Sequence, residues 1–161
     1  MTTAKVNEVL KEYANIHIAV HPPRGRFTST NTPKTDHWSL VITDALKKPE
    51  TLDDPSRHEY QLEHQSSSTP AYQFSHSFQK LQTSWSSSKA RVYVRAGRIP
   101  KGKVGDMNEL FRMCKRPEGD GEGEVGCQGW VVECLERLKK EKWAEVYVDG
   151  PLEEMRDWIY S

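Results

Sequence analysis

The chain has 161 residues, enough for one domain that buries about two-thirds of the surface its unfolded form exposes. Lysine plus arginine and aspartate plus glutamate both number 23, so no global field draws the chain to nucleic acid or to an anionic membrane, and neither is expected as a partner. No apolar run reaches about eighteen residues, no secretory h-region follows Met1, and mean hydropathy is −0.79; the expectation is a cytoplasmic single domain over 1–161 with a thin core and long polar loops.

Val6, Val9, Leu10 and Tyr13 recur at three- and four-residue steps, which predicts a short helix over 5–13. Alternation from Ile16 to Val20, stopped by Pro22 and Pro23, predicts a strand entering a loop at about 21–36. His37 to Thr43 is rich in aromatic and β-branched residues and His58 to His64 alternates with a period of two, so the two segments read as an antiparallel hairpin with a long tip at about 44–57. Residues 65–90 are dominated by Ser, Gln and Thr and read as a polar loop, which Tyr72, Phe74, Phe78 and Trp85 can pin to the body.

Ala90 to Ile99 alternates as a strand, and Asp106 is placed to cap a helix whose stripe is Met107, Leu110, Phe111 and Cys114. A flexible loop at about 116–126 then leads to a helix over 127–140 with Cys127, Trp130, Val131, Cys134, Leu135 and Leu138 on its buried face. "WAEVYV" reads as a last strand, and Pro151 opens a final helix carrying Leu152, Met155, Trp158 and Ile159. Strands mixed with peripheral helices predict an α+β fold, an antiparallel sheet packed against helices.

Three cysteines with no CxxC pair give neither a disulfide framework nor a structural zinc site, and no metal or organic cofactor is implied. Cys127 opens its helix between Gly126 and Gly129. Free amides at a helix N-terminus and a nearby imidazole would depress its pKa and make it a nucleophile; the other reading is a small apolar residue beginning a core helix. Cys114 and Cys134 read as packing.

Six histidines are available as bases. Pairing His37 with His64 sets Ser39 opposite Leu62 and Val41 opposite Tyr60 and puts both histidines on one face; a slip by one residue brings Glu63 beside His37 instead. His17, His21, His58 and His76 have no comparable partner and read as surface or structural. Trp38 and Trp130 flank the candidate pair as core or as walls of an apolar substrate pocket. Gln128 is either an oxyanion donor or an exposed first-turn residue. The run 118–124, "EGDGEGE", lacks the ligand spacing of a calcium loop and reads as a solvated segment able to lie over the site as a lid.

The order "HWSLVIT", a second strand with a polar residue opposite, and then "GCQGWVVECLERL" resembles the circularly permuted papain-like group, which includes the lecithin retinol acyltransferase-like and PPPDE proteins. It is similar to small fungal proteins with an HWxL-type strand early and a CQxW-type helix start late. The resemblance implies a sheet packed on the cysteine helix and a site of Cys127, His37 and His64. The acyltransferase-like members commonly carry asparagine just before the cysteine; here that position is Gly126.

The function so implied is a cysteine-dependent hydrolase or acyl or amide transferase acting on a small-molecule or peptide carbonyl through a thioester. His37 takes the thiol proton, Cys127 attacks, His64 orients His37, and the Cys127 amide stabilises the oxyanion. The rival is a non-catalytic binding or interaction module with a structural cysteine. The two differ over whether the thiol is accessible and its pKa depressed.

Overall fold

The computed structural model describes residues 12–21, 37–50, 55–64, 72–78, 92–114, 125–148 and 150–160. Its strands are β1 (Tyr13–His21), β2 (His37–Asp44), β3 (His58–His64), β4 (Tyr72–Phe78), β5 (Val92–Pro100) and β6 (Glu145–Val146); its helices are α1 (Lys101–Val104), α2 (Met107–Met113), α3 (Val125–Lys140) and α4 (Leu152–Tyr160). They form an α+β unit on one sheet of order β4-β3-β2-β1-β5-β6, with every neighbouring pair antiparallel. The first four strands are neighbours in chain order, and β5 joins the free edge of β1.

Alternation decides what each face carries. Ile16, Ile18 and Val20 of β1, Trp38, Leu40 and Ile42 of β2, and Tyr60 and Leu62 of β3 pack in one cluster with Phe111 of α2 and with Trp130, Val131, Leu135 and Leu138 of α3. Phe111 bridges the layers, with Tyr60 edge-on at 4.9 Å and Trp130 at 6.2 Å between ring centroids. The intervening positions put His17, His21, His37, Ser39, Thr43, Glu59 and Gln61 on the opposite face, and these are buried too. Burial on both faces is why β2 is withdrawn from water along almost its whole length.

Some expectations are corrected, and others fall outside the described residues. The helix predicted over 5–13 lies outside the described residues except at its end, where Tyr13 opens β1. The strand predicted to end at Val20 includes His21. Within 65–90, residues 72–78 form β4 and pair along the full length of β3, because Tyr72, Phe74 and Phe78 keep a period of two beneath the serine-rich composition; 65–71 and 79–90, with Trp85, lie outside the described residues. Of the loops predicted at about 21–36, 44–57 and 116–126, residues 22–36, 51–54 and 116–124 lie outside them as well. Only Glu145–Val146 of the predicted last strand is β, and Lys101–Val104 adds a short helix that periodicity did not signal. Asp106 precedes α2 without a side-chain capping bond.

The β2–β3 register is also corrected. Leu40 faces Tyr60, Val41 faces Glu59 and Ile42 faces His58, one residue away from the pairing that set His37 opposite His64. Among the described residues no helix is long and apolar enough to cross a membrane.

Candidate functional site

The chemistry-bearing residues gather on the polar sheet face. β1 and β2 pair with His21 opposite His37 and Ala19 opposite Ser39, which brings the two imidazoles to 5.7 Å between centroids. From β2, contacts to β3 run diagonally, within reach of long side chains on a twisted pair. His37 Nε2 and Gln61 Oε1 are 2.8 Å apart, and the Ser39 hydroxyl donates to Glu59 Oε1 at 3.1 Å. His21 Nε2 lies 3.3 Å from Ser39 Oγ and 3.8 Å from Glu59 Oε1. Arg57 neutralises Glu59 across 3.1 Å and donates from Nε to the Pro49 carbonyl at 2.8 Å. His21, His37, Ser39, Arg57, Glu59 and Gln61 are each at most 2 % exposed. A buried carboxylate needs such a cation, because an unpaired charge in this setting would be very costly.

The electrostatics keep the histidines of β1 neutral. Burial pulls the His21 pKa down to about 3, helped by His37 and Arg57 nearby, and pulls His17 down to about 4, helped by Arg95. Serine, histidine and glutamate together invite comparison with a hydrolytic triad, but the geometry differs. The carboxylate accepts the serine's hydrogen bond and approaches the imidazole nitrogen that faces the serine, so it does not orient the ring from its far side. An imidazole titrating near 3 is also a weak base at neutral pH.

Cys127 occupies a different layer. It is the third residue of α3, fully buried in the apolar cluster, and its thiol donates to the Leu62 carbonyl at 3.1 Å. Strand alternation puts His37 on the face opposite Trp38 and Leu40, which pack with Cys127 in that cluster. The fold therefore brings Cys127 to β3 beside Leu62 and brings His37 to Gln61, the residue before Leu62. His64 ends β3, where it pairs with Tyr72 of β4.

Trp38 and Trp130 are core residues, at 0 and 1 % exposure. Gln128 is fully buried rather than exposed, and its Oε1 accepts the Arg156 Nε–H at 2.8 Å, tying α3 to α4. His21, read as lacking a comparable partner, stands opposite His37 and is buried. Sequence reasoning also missed Gln61, Ser39, Glu59 and Arg57. The usable signal was parity: "HEYQLEH" sets Glu59 and Gln61 on one face, and "IHIAVH" sets His17 and His21 on one face.

Away from this network, a groove of about 470 Å³ opens where α2 meets the C-terminal end of α3, with Leu110, Met113 and Trp143 among its walls and Asp106, Glu109 and Arg137 at its edges. In comparisons with protein-family models, curated proteins and solved structures, none matches the chain.

Proposed function

We propose that this chain is a non-catalytic binding or interaction module in which Cys127 is a structural thiol. The observation that carries this reading is the bond from the fully buried Cys127 sulfur to the Leu62 carbonyl. A thiol that spends its proton on a main-chain acceptor inside an apolar cluster is stabilised as the neutral form, whereas a nucleophile requires the thiolate. Binding is supported by the polar face. Asn15 Oδ1, His17 Nδ1 and Thr43 Oγ1 are buried there with no hydrogen-bond partner among the described residues, and Asn15 and Thr43 are directly paired across β1 and β2. Folded proteins rarely leave such atoms unsatisfied, so a polar ligand that donates and accepts hydrogen bonds is the chemistry this face would take.

The second reading, a thiol hydrolase or transferase of the permuted papain-like type, is favoured by one observation. His37 is held by a polar group on β3, and that group, Gln61, adjoins the residue whose carbonyl takes the Cys127 thiol. For catalysis the sulfur would have to leave Leu62 and the His37 ring would have to reach it, with Gln61 in the orienting role assigned to His64.

The two readings part on thiol reactivity. The experiment is iodoacetamide labelling of the native chain between pH 5 and 9, with the modified cysteine located by peptide mass spectrometry, for the wild type and His37→Ala. The structural reading expects Cys127 to label only after denaturation, in both proteins. Fast native labelling of Cys127 with an apparent pKa below about 8, lost in His37→Ala, would replace it with the enzyme reading.

A further inference from the structure

We infer that the groove where α2 meets the C-terminal end of α3 binds a small organic cation, an ammonium joined to an apolar body. Its volume of about 470 Å³ falls within the span usual for small-molecule sites, roughly 300–1,000 Å³. None of its lining residues belongs to the sheet, so the site is distinct from the polar face and stands without it. Leu110, Met113 and Trp143 supply apolar surface. Met113 is 73 % exposed, more than any other large apolar side chain among the described residues, and a flexible thioether adapts to the shape of what lies on it.

Charge decides the sign of the occupant. The lining carries three carboxylates, Asp106, Glu109 and Glu141, against one guanidinium, Arg137. Arg137 lies 3.7 Å from Glu141, which leaves Asp106 and Glu109 unmatched within the lining. Glu109 meets Arg112, outside the lining, at 3.8 Å, but both side chains are more than half exposed and such a pair is worth little. Asp106 precedes α2, where an aspartate ordinarily accepts a bond from a first-turn amide, yet its side chain makes no such bond. The Asp106 carboxylate has no ion-pair partner among the described residues, and it faces a groove whose apolar walls strengthen its field.

The aromatic wall also attracts positive charge. The Lys103 ammonium lies 5.1 Å from the centre of the Trp143 ring, within the reach of a cation–π contact. Lys103 is exposed and has no carboxylate partner among the described residues, so a ligand ammonium can take its place over the ring. Trp143 is held in position at a cost. The turn that ends α3 puts Lys142 at φ 59°, in the left-handed region that glycine adopts far more readily, while the Trp143 amide donates to the Leu138 carbonyl at 3.1 Å. Backbone strain of this kind gathers at ligand sites, and here the side chain it fixes is an aromatic wall of the groove.

The test is a titration of the full chain with three probes of one shape, phenethylamine, phenethyl alcohol and phenylpropionate, followed by NMR at the Leu110 and Met113 methyls and the Trp143 indole N–H. Phenethylamine should shift these signals together and bind about tenfold more tightly than the alcohol, with phenylpropionate weaker than both. Added salt should shrink the advantage of the amine. In Asp106→Asn/Glu109→Gln that advantage should vanish while the alcohol binds as before. Met113→Ala, at an exposed position, should weaken amine and alcohol alike by about threefold. The inference is overturned if none of the probes binds up to about 10 mM, if phenylpropionate binds as tightly as phenethylamine, or if the double variant keeps the preference for the amine. Shifts confined to Asn15, His17 and Thr43 would overturn it too, by placing the ligand on the sheet.

Discussion

Two hydroxyls on the same face of β2 show how position decides what a side chain contributes. Ser39 donates to Glu59 and lies against His21, so it completes a buried network whose charge is cancelled by Arg57. Thr43, four residues on, is just as buried, yet its oxygen has no hydrogen-bond partner among the described residues. Burying a hydroxyl without a partner costs roughly 1–3 kcal/mol in proteins. Valine has nearly the same shape without the hydroxyl, so Thr43→Val should stabilise the ligand-free protein by about 1 kcal/mol. Urea denaturation would show this as a higher midpoint with an unchanged slope. A lower midpoint would mean that the hydroxyl is already satisfied and would remove one of the atoms on which the binding reading rests.

At the scale of elements, β6 depends on a glycine. Gly97 of β5 faces Val146, and a Cβ at Gly97 would run into the carbonyl oxygen of Glu145 and crowd the Val146 backbone. Only a residue without a side chain lets the short strand approach, after which Arg98 clamps Glu145 at 2.8 Å and the Tyr147 amide donates to Ala96. Gly97→Ala should therefore loosen β6, costing about 2 kcal/mol net of the small gain in chain stiffness. Hydrogen exchange should accelerate at the Tyr147 amide well before the centre of β1 is affected; equal protection there would show that β5 yields instead.

The same scale explains what could be read in advance. β1, β2, β3, β5 and α3 were legible because their apolar positions keep a clean period, whereas β4 was hidden by serine and glutamine although its aromatics alternate. The expected β2–β3 register is one residue off, although parity signals the observed one. Register is chosen by which residues must share a face, and the expected pairing sets Leu40 and Ile42 beside Gln61 and Glu59, whereas the observed one sets Leu40 beside Tyr60 and Val41 beside Glu59. The partner of His37 hung on that register, and Gln61 lies within hydrogen-bond distance of the ring.

For the whole molecule, the polar face sets a pH limit. His17 and His21 are neutral in the folded chain, with pKa values pulled down by burial to about 4 and about 3, while in the unfolded chain each titrates near 6.5. The charges around them oppose protonation on balance. Arg95 disfavours it at His17 and Glu50 favours it, while His37 and Arg57 disfavour it at His21 and Glu59 is already occupied by Arg57 and Ser39. Above pH 6.5 both states are neutral at these sites and stability is complete. Below it the unfolded chain takes up protons that the folded chain refuses, so stability falls until the folded groups titrate in turn. A tenfold difference in proton affinity between the two states is worth about 1.4 kcal/mol, which brings the combined loss to about 5 kcal/mol at about pH 4.5. Asp44 acts in a lower window. Burial would raise its pKa, but the Lys101 and Leu46 hydrogen bonds hold it below the usual range, so its share persists until the pH drops below about 4. Urea midpoints should therefore be flat from about pH 8 to 7 and decline steeply from about 6.5 to 4.5. In His17→Gln/His21→Gln the decline over that window should shrink by most of its amplitude, even if the variant starts from a lower midpoint. An unchanged decline in the double variant would mean that the acid limit lies in groups outside the polar face, and the sheet would then tolerate charge on its second side.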